Sequence, residues 1–253
     1  MVSDRLGRER GGSEALPHHP RQARARAIAL ALLAVLLGAD LVLISLHVLW
    51  GYDDLAWSME NEASHVERVQ HLKWAVAALL MLALSIRRRA VIYAAWALLF
   101  AYFAADDSMR LHEQGGRWLI GVLDLRSFED FYLEHFSYFY LRAQNFGELI
   151  VAASLGSIVA LALWIVWPAA DAVAERRLAK KLVAWLLLFA LFAVGFDMLH
   201  TMAWEIYPPA VELIGVIEDG GELICASILV GGLALELARA GRVPITCLRR
   251  TQA

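Results

Sequence analysis

Charged residues are scarce in this sequence, and so are the residues that build redox and nucleotide-binding sites. Only 19% of the 253 residues are charged, whereas a soluble domain usually has about 25%. The two cysteines, Cys225 and Cys247, are predicted to lie at different depths, so we expect no disulfide between them. The sequence contains no CxxC pair, Gly-rich phosphate loop, GxSxG or HExxH motif, and no internal repeat. The lack of a cysteine cluster argues against a thiolate metal site.

Apolar residues are abundant instead. They make up 60% of the chain, compared with about 45 to 50% in a soluble domain, and the mean hydropathy is +0.54. This composition excludes a disordered or nucleic-acid-binding chain and argues against an ordinary soluble enzyme. The net charge of -3 is uninformative by itself, because 23 basic residues nearly cancel 26 acidic ones.

Six apolar segments approach the roughly 20 residues that a helix needs to cross the hydrocarbon layer. Each is too long for a soluble strand, and a lone segment in lipid must be helical to satisfy its own backbone. The predicted fold is therefore all-α, a polytopic bundle of about six transmembrane helices over residues 27–240. A flexible basic tail at 1–26 precedes it and a short tail at 241–253 follows. The predicted spans are Ala27 to Trp50, Leu72 to Ile86, Ala90 to Ala105, Leu149 to Trp167, Leu182 to Ala203 and Leu223 to Ala238.

The basic residues predict the orientation of the bundle. Placing both termini in the cytoplasm puts most of the 23 Lys and Arg residues on that side, including the run at 87–89, as the positive-inside rule requires. We therefore expect a multi-pass protein of a bacterial inner membrane with both tails cytoplasmic. The first apolar run is longer than a signal-peptide core and no small-residue cleavage pattern closes it, so we expect the first helix to be retained.

Most acidic residues, and the histidines that follow the N-terminal tail, fall toward the opposite, outer side. The positive-inside rule does not predict this bias, because acidic residues contribute little to topology. Helical rise places several of these groups about 24 to 29 Å from the basic residue that closes the same span, near the outer boundary of the hydrocarbon. Ionisable groups at that depth are costly unless they face the bundle interior, pair or bind an ion, and so they are functional candidates.

Helical spacing selects the groups that can act together. Pairs three, four or seven residues apart share a helix face, and carboxylate–imidazole pairs on facing helices build metal sites in bundles. The pairs with this spacing are Glu67 with His71, Asp197 with His200, Glu218 with Glu222 and Asp106 with Glu113, and His112 follows Ser108 by four residues. Oxygen and imidazole ligands suit a divalent metal such as zinc, iron or manganese. The predicted metal ligands are His71, Asp106, His112, Asp197, His200, Glu218 and Glu222. Glu113 and Asp107 are the predicted catalytic proton acceptors beside a metal-activated water.

Simpler interpretations stay open for parts of this set. Asp106, Arg110 and Glu113 also fit an exposed ion-pair stripe on a helix that leaves the membrane. The segment 114–147 is rich in aromatic residues interleaved with acids, which is typical of a belt in the headgroup layer. The same segment also fits a lid that admits a lipid or other amphipathic substrate.

Two resemblances rest on short motifs. The set Asp106, Asp107, His112 and Glu113, followed later by an acidic cluster at 218–222, resembles a loose group of uncharacterised bacterial multi-pass membrane proteins. The stretch from Ser108 to His112 is similar to the Ser-x-x-x-His element of the alkaline ceramidase and adiponectin-receptor superfamily, which implies a zinc-dependent membrane hydrolase. The later His-x-x-x-His pair of that superfamily is missing here, and the segment from Asp197 to His200 stands near its position.

Four functions fit these patterns. The first is a metal-dependent membrane hydrolase that acts on a lipid or amphipathic substrate. The second is a proton- or cation-coupled transporter in which the acids form a relay, although an inverted repeat is missing. The third is a b-type haem protein with His71, His112 or His200 as axial ligands. The fourth is a non-catalytic membrane subunit whose aromatic outer segment binds a partner.

Overall fold

The fold is known from a computed structural model that describes residues 20–51, 53–61, 63–136, 141–169 and 173–240. All regular secondary structure in these residues is helical, which confirms the predicted fold class. Most of the two predicted tails lies outside the described residues. The first helix begins at Pro20, ahead of the apolar run that starts at Ala27.

Nine α-helices, extended by short π or 3-10 turns, account for the described regular structure. The described residues contain two π turns: His47–Gly51 closes the first helix, and Leu191–Phe196 joins the seventh helix to the eighth. The helices are α1 (Pro20–Leu46), α2 (His65–Arg88), α3 (Val91–Met109), α4 (Leu111–Val122), α5 (Leu125–His135), α6 (Ala143–Val166), α7 (Val173–Ala190), α8 (Asp197–Ile206) and α9 (Val211–Arg239).

Five helical segments are long and apolar enough to cross a membrane. They are Ala23–Gly51, His65–Arg88, Ala143–Val166, Val173–Ile206 and Pro208–Arg239. The predicted span from Ala90 to Ala105 is not among them. Its helix, α3, is 19 residues long, and its last turn holds Asp106, Asp107 and Ser108. The six-span topology therefore stays a prediction.

The surface of the bundle is apolar along these helices. Leu98, Trp164 and Leu187 are each more than two-thirds exposed, and the most apolar part of α6 has no buried residue. A contiguous apolar surface of this kind is unfavourable in water and is suited to lipid.

An aromatic core holds α2, α3, α7 and α9 together. Trp74 of α2 packs edge-on against Phe189 at a ring separation of 4.9 Å and against Trp185 at 5.7 Å. Trp74 and Phe100 are fully buried, and the indole N–H of Trp185 donates to the Cys225 carbonyl of α9. These offset and edge-on contacts fill the middle of the bundle with closely packed rings.

Basic residues gather at one end of the bundle around a single carboxylate. Glu236 of α9 lies 3.8 Å from Arg88, 3.8 Å from Lys181 and 2.9 Å from Arg239. We call this the basic end, and the opposite end, where α2 and α9 begin and α3 closes, the acid end. The grouping agrees with the predicted separation of charges along the chain.

Two glycines bring α4 against α6 at the acid end. A Cβ atom at Gly147 would lie only 2.6 Å from the carbonyl oxygen of Gly116, so the two backbones meet without side chains between them. Because His112 and Glu148 lie on these two helices, the close crossing places both near the same opening.

The segment 114–147 is mainly helical and not an extended loop. It contains α5 and most of α4, and Phe128 and Tyr132 of α5 pack on Phe146 of α6 with ring separations of 4.9 and 5.0 Å. Trp118, Phe131 and Phe136 stay exposed, as expected for an interfacial segment. Tyr138, Phe139 and Tyr140, which the prediction also included, lie outside the described residues.

Candidate functional site

Three side chains at the acid end form a group with the spacing of a metal site. The helix α2 brings Glu67 and His71 to one face, with Glu67 Oε1 and His71 Nε2 3.1 Å apart, and the end of α3 adds Asp107. One ligand atom from each of the three lies within 4.8 Å of the others. Two carboxylates and one imidazole on this spacing can ligate a zinc, iron or manganese ion and leave other coordination positions open.

Local structure explains why these residues meet. Ser64 caps the N-terminus of α2, and its hydroxyl accepts a hydrogen bond of 3.1 Å from the Glu67 backbone N–H, which fixes the first turn. The four-residue spacing places His71 directly beside Glu67.

A break between α3 and α4 builds a second carboxylate–histidine pair. Arg110 adopts a left-handed conformation with φ of 54°, which ends α3 and turns the chain back. Asp106 then accepts hydrogen bonds from the His112 backbone N–H at 2.8 Å and pairs with His112 Nδ1 at 3.0 Å. The hydrogen bond to Asp106 raises the pKa of His112 above its usual value of 6.5, against the opposing effect of partial burial.

The same break corrects two expectations. Ser108 and His112 do not share a helix face, because they lie on either side of Arg110; Ser108 is exposed and donates to the Ala104 carbonyl at 2.6 Å. Asp106 and Glu113 are likewise on different helices. The resemblance to the zinc hydrolase superfamily therefore rests on the sequence spacing of Ser108 and His112, which lie on different helices.

A third pair joins α8 to α9. His200 Nδ1 lies 2.8 Å from Glu218 Oε2, and both side chains are less than one-fifth exposed. Asp197, one turn before His200, follows directly on the π turn of residues 191–196 and interacts electrostatically with Glu218, His200 and Glu148. Single π turns within helices are frequent at functional sites.

Glu113 lies at the edge of the site. Its carboxylate forms an ion pair of 3.0 Å with Arg117, one turn further along α4, while its backbone carbonyl accepts a hydrogen bond from Gln144 of α6. Glu113 lines the large cavity at this end of the bundle, but it does not belong to the group of Glu67, His71 and Asp107.

A cavity of about 640 Å³ connects these groups to the apolar interior. Its polar end contains the predicted residues Asp106, Asp107, His112, Glu113, Asp197, Glu218 and Glu222, together with Glu148, which the sequence did not single out. Its other end is formed by apolar side chains of α3, α6 and α7, and it extends along α6 from Glu148 to Leu163, about 22 Å. The shape and lining fit a molecule with a polar head and a long apolar tail.

The predicted ligands thus fall into one compact group and separate pairs. His71 joins Glu67 and Asp107, while Asp106 with His112 and His200 with Glu218 form pairs; among the described residues these pairs do not extend to a three-ligand group. Asp107, predicted as a proton acceptor, belongs to the ligand group. The four-residue spacing from His71 placed Glu67 on the same helix face, but Glu67 was not among the predicted metal ligands.

Sequence patterns also missed a buried ion pair below the site. Asp40 of α1 and Lys73 of α2 are 2.5 Å apart and almost fully buried, and Lys73 also donates to the Leu223 carbonyl at 2.9 Å. The lone aspartate within the first apolar run was the available signal, since a charge at that depth requires a partner.

A family model for a domain of unknown function, DUF8692, matches residues 64–235. The chain belongs to this family. The matched region of this DUF8692 protein begins at the Ser64 cap and includes every predicted site residue, whereas α1 lies outside it. No curated protein and no solved structure matches the chain significantly.

Proposed function

We propose that this DUF8692 protein is a metal-dependent membrane hydrolase that cleaves an ester or amide bond of a lipid or similar amphipathic substrate. One observation carries the proposal: Asp107 belongs both to the three-ligand group and to the wall of the long cavity. A metal bound at Glu67, His71 and Asp107 would therefore lie where the polar head of a bound substrate meets the acids.

The apolar part of the cavity supports a lipid substrate. Leu155, Val159 and Leu163 of α6 face Val183 and Leu186 of α7 across it. These side chains lie in helices whose outer surfaces are suited to lipid, so an acyl chain can reach the site without crossing water. Burial of each CH₂ group of such a chain would contribute about 0.8 kcal/mol.

The side chains at the polar end have separable roles. Glu67, His71 and Asp107 would hold a metal ion, which when bound polarises a carbonyl group and lowers the pKa of a bound water. His112 is within reach of the same cavity and its orientation is fixed by two contacts with Asp106, so it can accept and return a proton. Glu218, which also lines the cavity, pairs with His200 Nδ1 at 2.8 Å.

The charges at the two ends of the bundle support an orientation for the protein. The basic end would face the cytoplasm of a bacterial cell and the acid end the outer leaflet, with α3 crossing beside α2 as a sixth span. Because Arg87, Arg88, Lys181 and Arg239 lie together, the charge separation read from the sequence has a spatial counterpart that supports this topology.

A metal-dependent hydrolase explains the interior better than a transporter does. The acids at one end lead inward as far as the ion pair between Asp40 and Lys73. Beyond it the described core is formed by tightly packed residues such as Met81, Leu84 and Phe100, which are fully buried. A coupled transporter needs a polar route or a rearrangement through this layer.

Lipid hydrolysis by the purified protein tests the proposal. We expect release of fatty acid from vesicles that contain lipid esters or amides, loss of release after treatment with a chelator, and recovery with zinc or manganese. The variant His71→Ala should be inactive, while Glu212→Gln, which changes an exposed acid on α9, should match the wild type. Release that persists in His71→Ala would contradict the proposal, as would a wild-type protein that binds no added metal.

The haem and partner-subunit alternatives make different predictions. A haem protein would show a Soret band that shifts on reduction, and a subunit would co-purify with a stoichiometric partner through its exposed aromatic segment. Either result without metal-dependent hydrolysis would replace the hydrolase proposal.

A further inference from the structure

A small chamber lies directly beside the three-ligand group. Its volume is about 60 Å³, enough for an ion with little accompanying water, and the apolar part of its lining comes from Met59, Val66 and Leu223. Its polar walls are formed by the carboxylates of Glu67, Asp107, Asp219 and Glu222 and by the amide of Gln70.

Gln70 is the unusual member of this set. Its side chain is only 5% exposed, and neither its amide oxygen nor its amide nitrogen has a hydrogen-bond partner among the described residues. A buried amide left in this state costs about 1–3 kcal/mol. Gln70 lines the chamber together with Glu67 and Asp107 of the three-ligand group. Its unpaired amide oxygen is therefore available to coordinate a cation.

The charge around the chamber is also uncompensated. No basic residue is among the described residues that line it, and Glu222 interacts electrostatically with Asp219, Asp107 and Glu67, all of the same sign. Lys73, on the next turn of α2 after Gln70, is already bound to Asp40 and to the Leu223 carbonyl. Carboxylates that face one another in a low-dielectric interior require protons or a cation.

The donor atoms indicate which cation fits. All the polar groups that line the chamber can offer oxygen, and an all-oxygen set that includes carboxylates and an amide suits hard divalent ions such as Mg²⁺, Mn²⁺ and Ca²⁺. The neighbouring group differs because it includes the His71 imidazole. Glu67 and Asp107 belong to both sites, so their carboxylates can be shared between two ions, as in other carboxylate-rich helical bundles.

We infer that the chamber binds a second, hard divalent cation through Asp219, Glu222 and the Gln70 oxygen, next to an ion at Glu67, His71 and Asp107. The inference rests on the proposed function, since it makes the site a two-ion centre. A second ion would balance the shared carboxylates and add a second positive charge where negative charge develops during hydrolysis.

Counting bound Mn²⁺ tests this inference. The full-length protein in nanodiscs is stripped with a chelator, titrated with Mn²⁺, and assayed by elemental analysis and electron paramagnetic resonance. We expect two Mn²⁺ per wild-type chain and one in Asp219→Asn. In Gln70→Met, which preserves side-chain length, the second ion should bind at least about tenfold more weakly.

Stability of the metal-free protein separates a ligand from a structural residue. Gln70→Met removes an unsatisfied buried amide, so its metal-free melting temperature should equal or exceed that of the wild type even as the second ion is lost. The control Glu212→Gln should keep both ions. One Mn²⁺ per wild-type chain would overturn the inference, as would two ions of unchanged affinity in both Asp219→Asn and Gln70→Met.

The outcomes also distinguish this inference from the proposed function. Two ions without lipid hydrolysis would support the second site and reject the hydrolase. Metal-dependent hydrolysis with a single ion, lost in His71→Ala, would support the hydrolase and reject the second site.

Discussion

Two buried polar regions meet α9 at neighbouring residues and differ in how their charges are balanced. The backbone carbonyl of Leu223 accepts a hydrogen bond from Lys73, which also pairs with Asp40, so one positive charge is balanced by one negative charge. At Glu222, one residue earlier, the side chain joins three other carboxylates around the chamber, and none of the described residues lining that chamber is basic.

Under our proposal, the difference separates a region that stabilises the fold from a region that binds a ligand. Both regions incur the cost of taking charge out of water. The pair of Asp40 and Lys73 offsets this cost within the chain and ties α1 to α2 and α9. The carboxylates around the chamber have no basic partner among the described residues that line it, so a proton or a cation would have to offset the cost. Two of them, Asp107 and Glu222, also line the cavity of about 640 Å³.

Removing one partner of the buried ion pair between Asp40 and Lys73 should have the largest effect on stability. Lys73→Met leaves Asp40 charged and buried without its partner, which we expect to lower the free energy of unfolding by about 3–5 kcal/mol. Unfolding of the purified protein in detergent, followed by circular dichroism, measures it. The double variant Asp40→Asn with Lys73→Met should recover most of the loss, because no buried charge is left alone. Lys181→Met, at a side chain that is 67% exposed, is the control. A Lys73→Met protein within about 0.5 kcal/mol of the wild type would show that the pair is not structural.

Binding of a metal ion to the carboxylates at the acid end should have the next largest effect on stability. A divalent ion at 100 times its dissociation constant stabilises a one-site protein by about 2.7 kcal/mol, so zinc or manganese should raise the melting temperature of the wild type. The part of the gain that comes from an ion at Glu67, His71 and Asp107 should be lost in His71→Ala, so the response to metal should be smaller in that variant. Metal-free Glu222→Gln should be no less stable than the metal-free wild type, because the substitution removes a carboxylate from a like-charged group. An equal response to metal in His71→Ala would remove the contrast between the two regions.

The smallest effect concerns the partly exposed pair of His112 and Asp106. Because the hydrogen bond to Asp106 raises the pKa of His112 above 6.5, the protonated imidazole favours the folded state. Its stabilisation is fully present below pH 6.5 and is lost as the pH rises through the higher pKa of the folded protein. Asp106→Asn should move the titration of His112, followed by nuclear magnetic resonance, to lower pH. It should also reduce stability more at acidic than at alkaline pH. An unchanged titration point would show that Asp106 does not control the histidine.

Composition and helical spacing were sufficient to predict the helical fold class, the apolar segments and the depth of the acidic residues along the helices. Depth estimated from helical rise placed His71, Asp106, His200 and Glu222 at one end, and the structure brings them there. Each of these features depends on one helix at a time, and a helix has a fixed rise and period.

Features that depend on the ends of helices, or on two helices together, were not predictable in this way. The left-handed Arg110 cannot be read from a sequence that continues with helix-forming residues, yet it separates Ser108 from His112 and pairs His112 with Asp106. The pair of Asp40 and Lys73 joins residues 33 positions apart, and the choice of partner depends on how α1 and α2 pack. The sequence gives no signal for Gln70, because the role that we propose for it depends on its amide having no hydrogen-bond partner among the described residues of the folded chain.

The position of a bound metal tests the central claim most directly. Crystals or a high-resolution reconstruction of the protein loaded with zinc or manganese would show the ion, with anomalous scattering to identify it. We predict a peak about 2.0–2.2 Å from one donor atom each of Glu67, His71 and Asp107. A loaded protein whose three side chains are well ordered around water alone, or around a salt bridge to another part of the chain, would contradict the account.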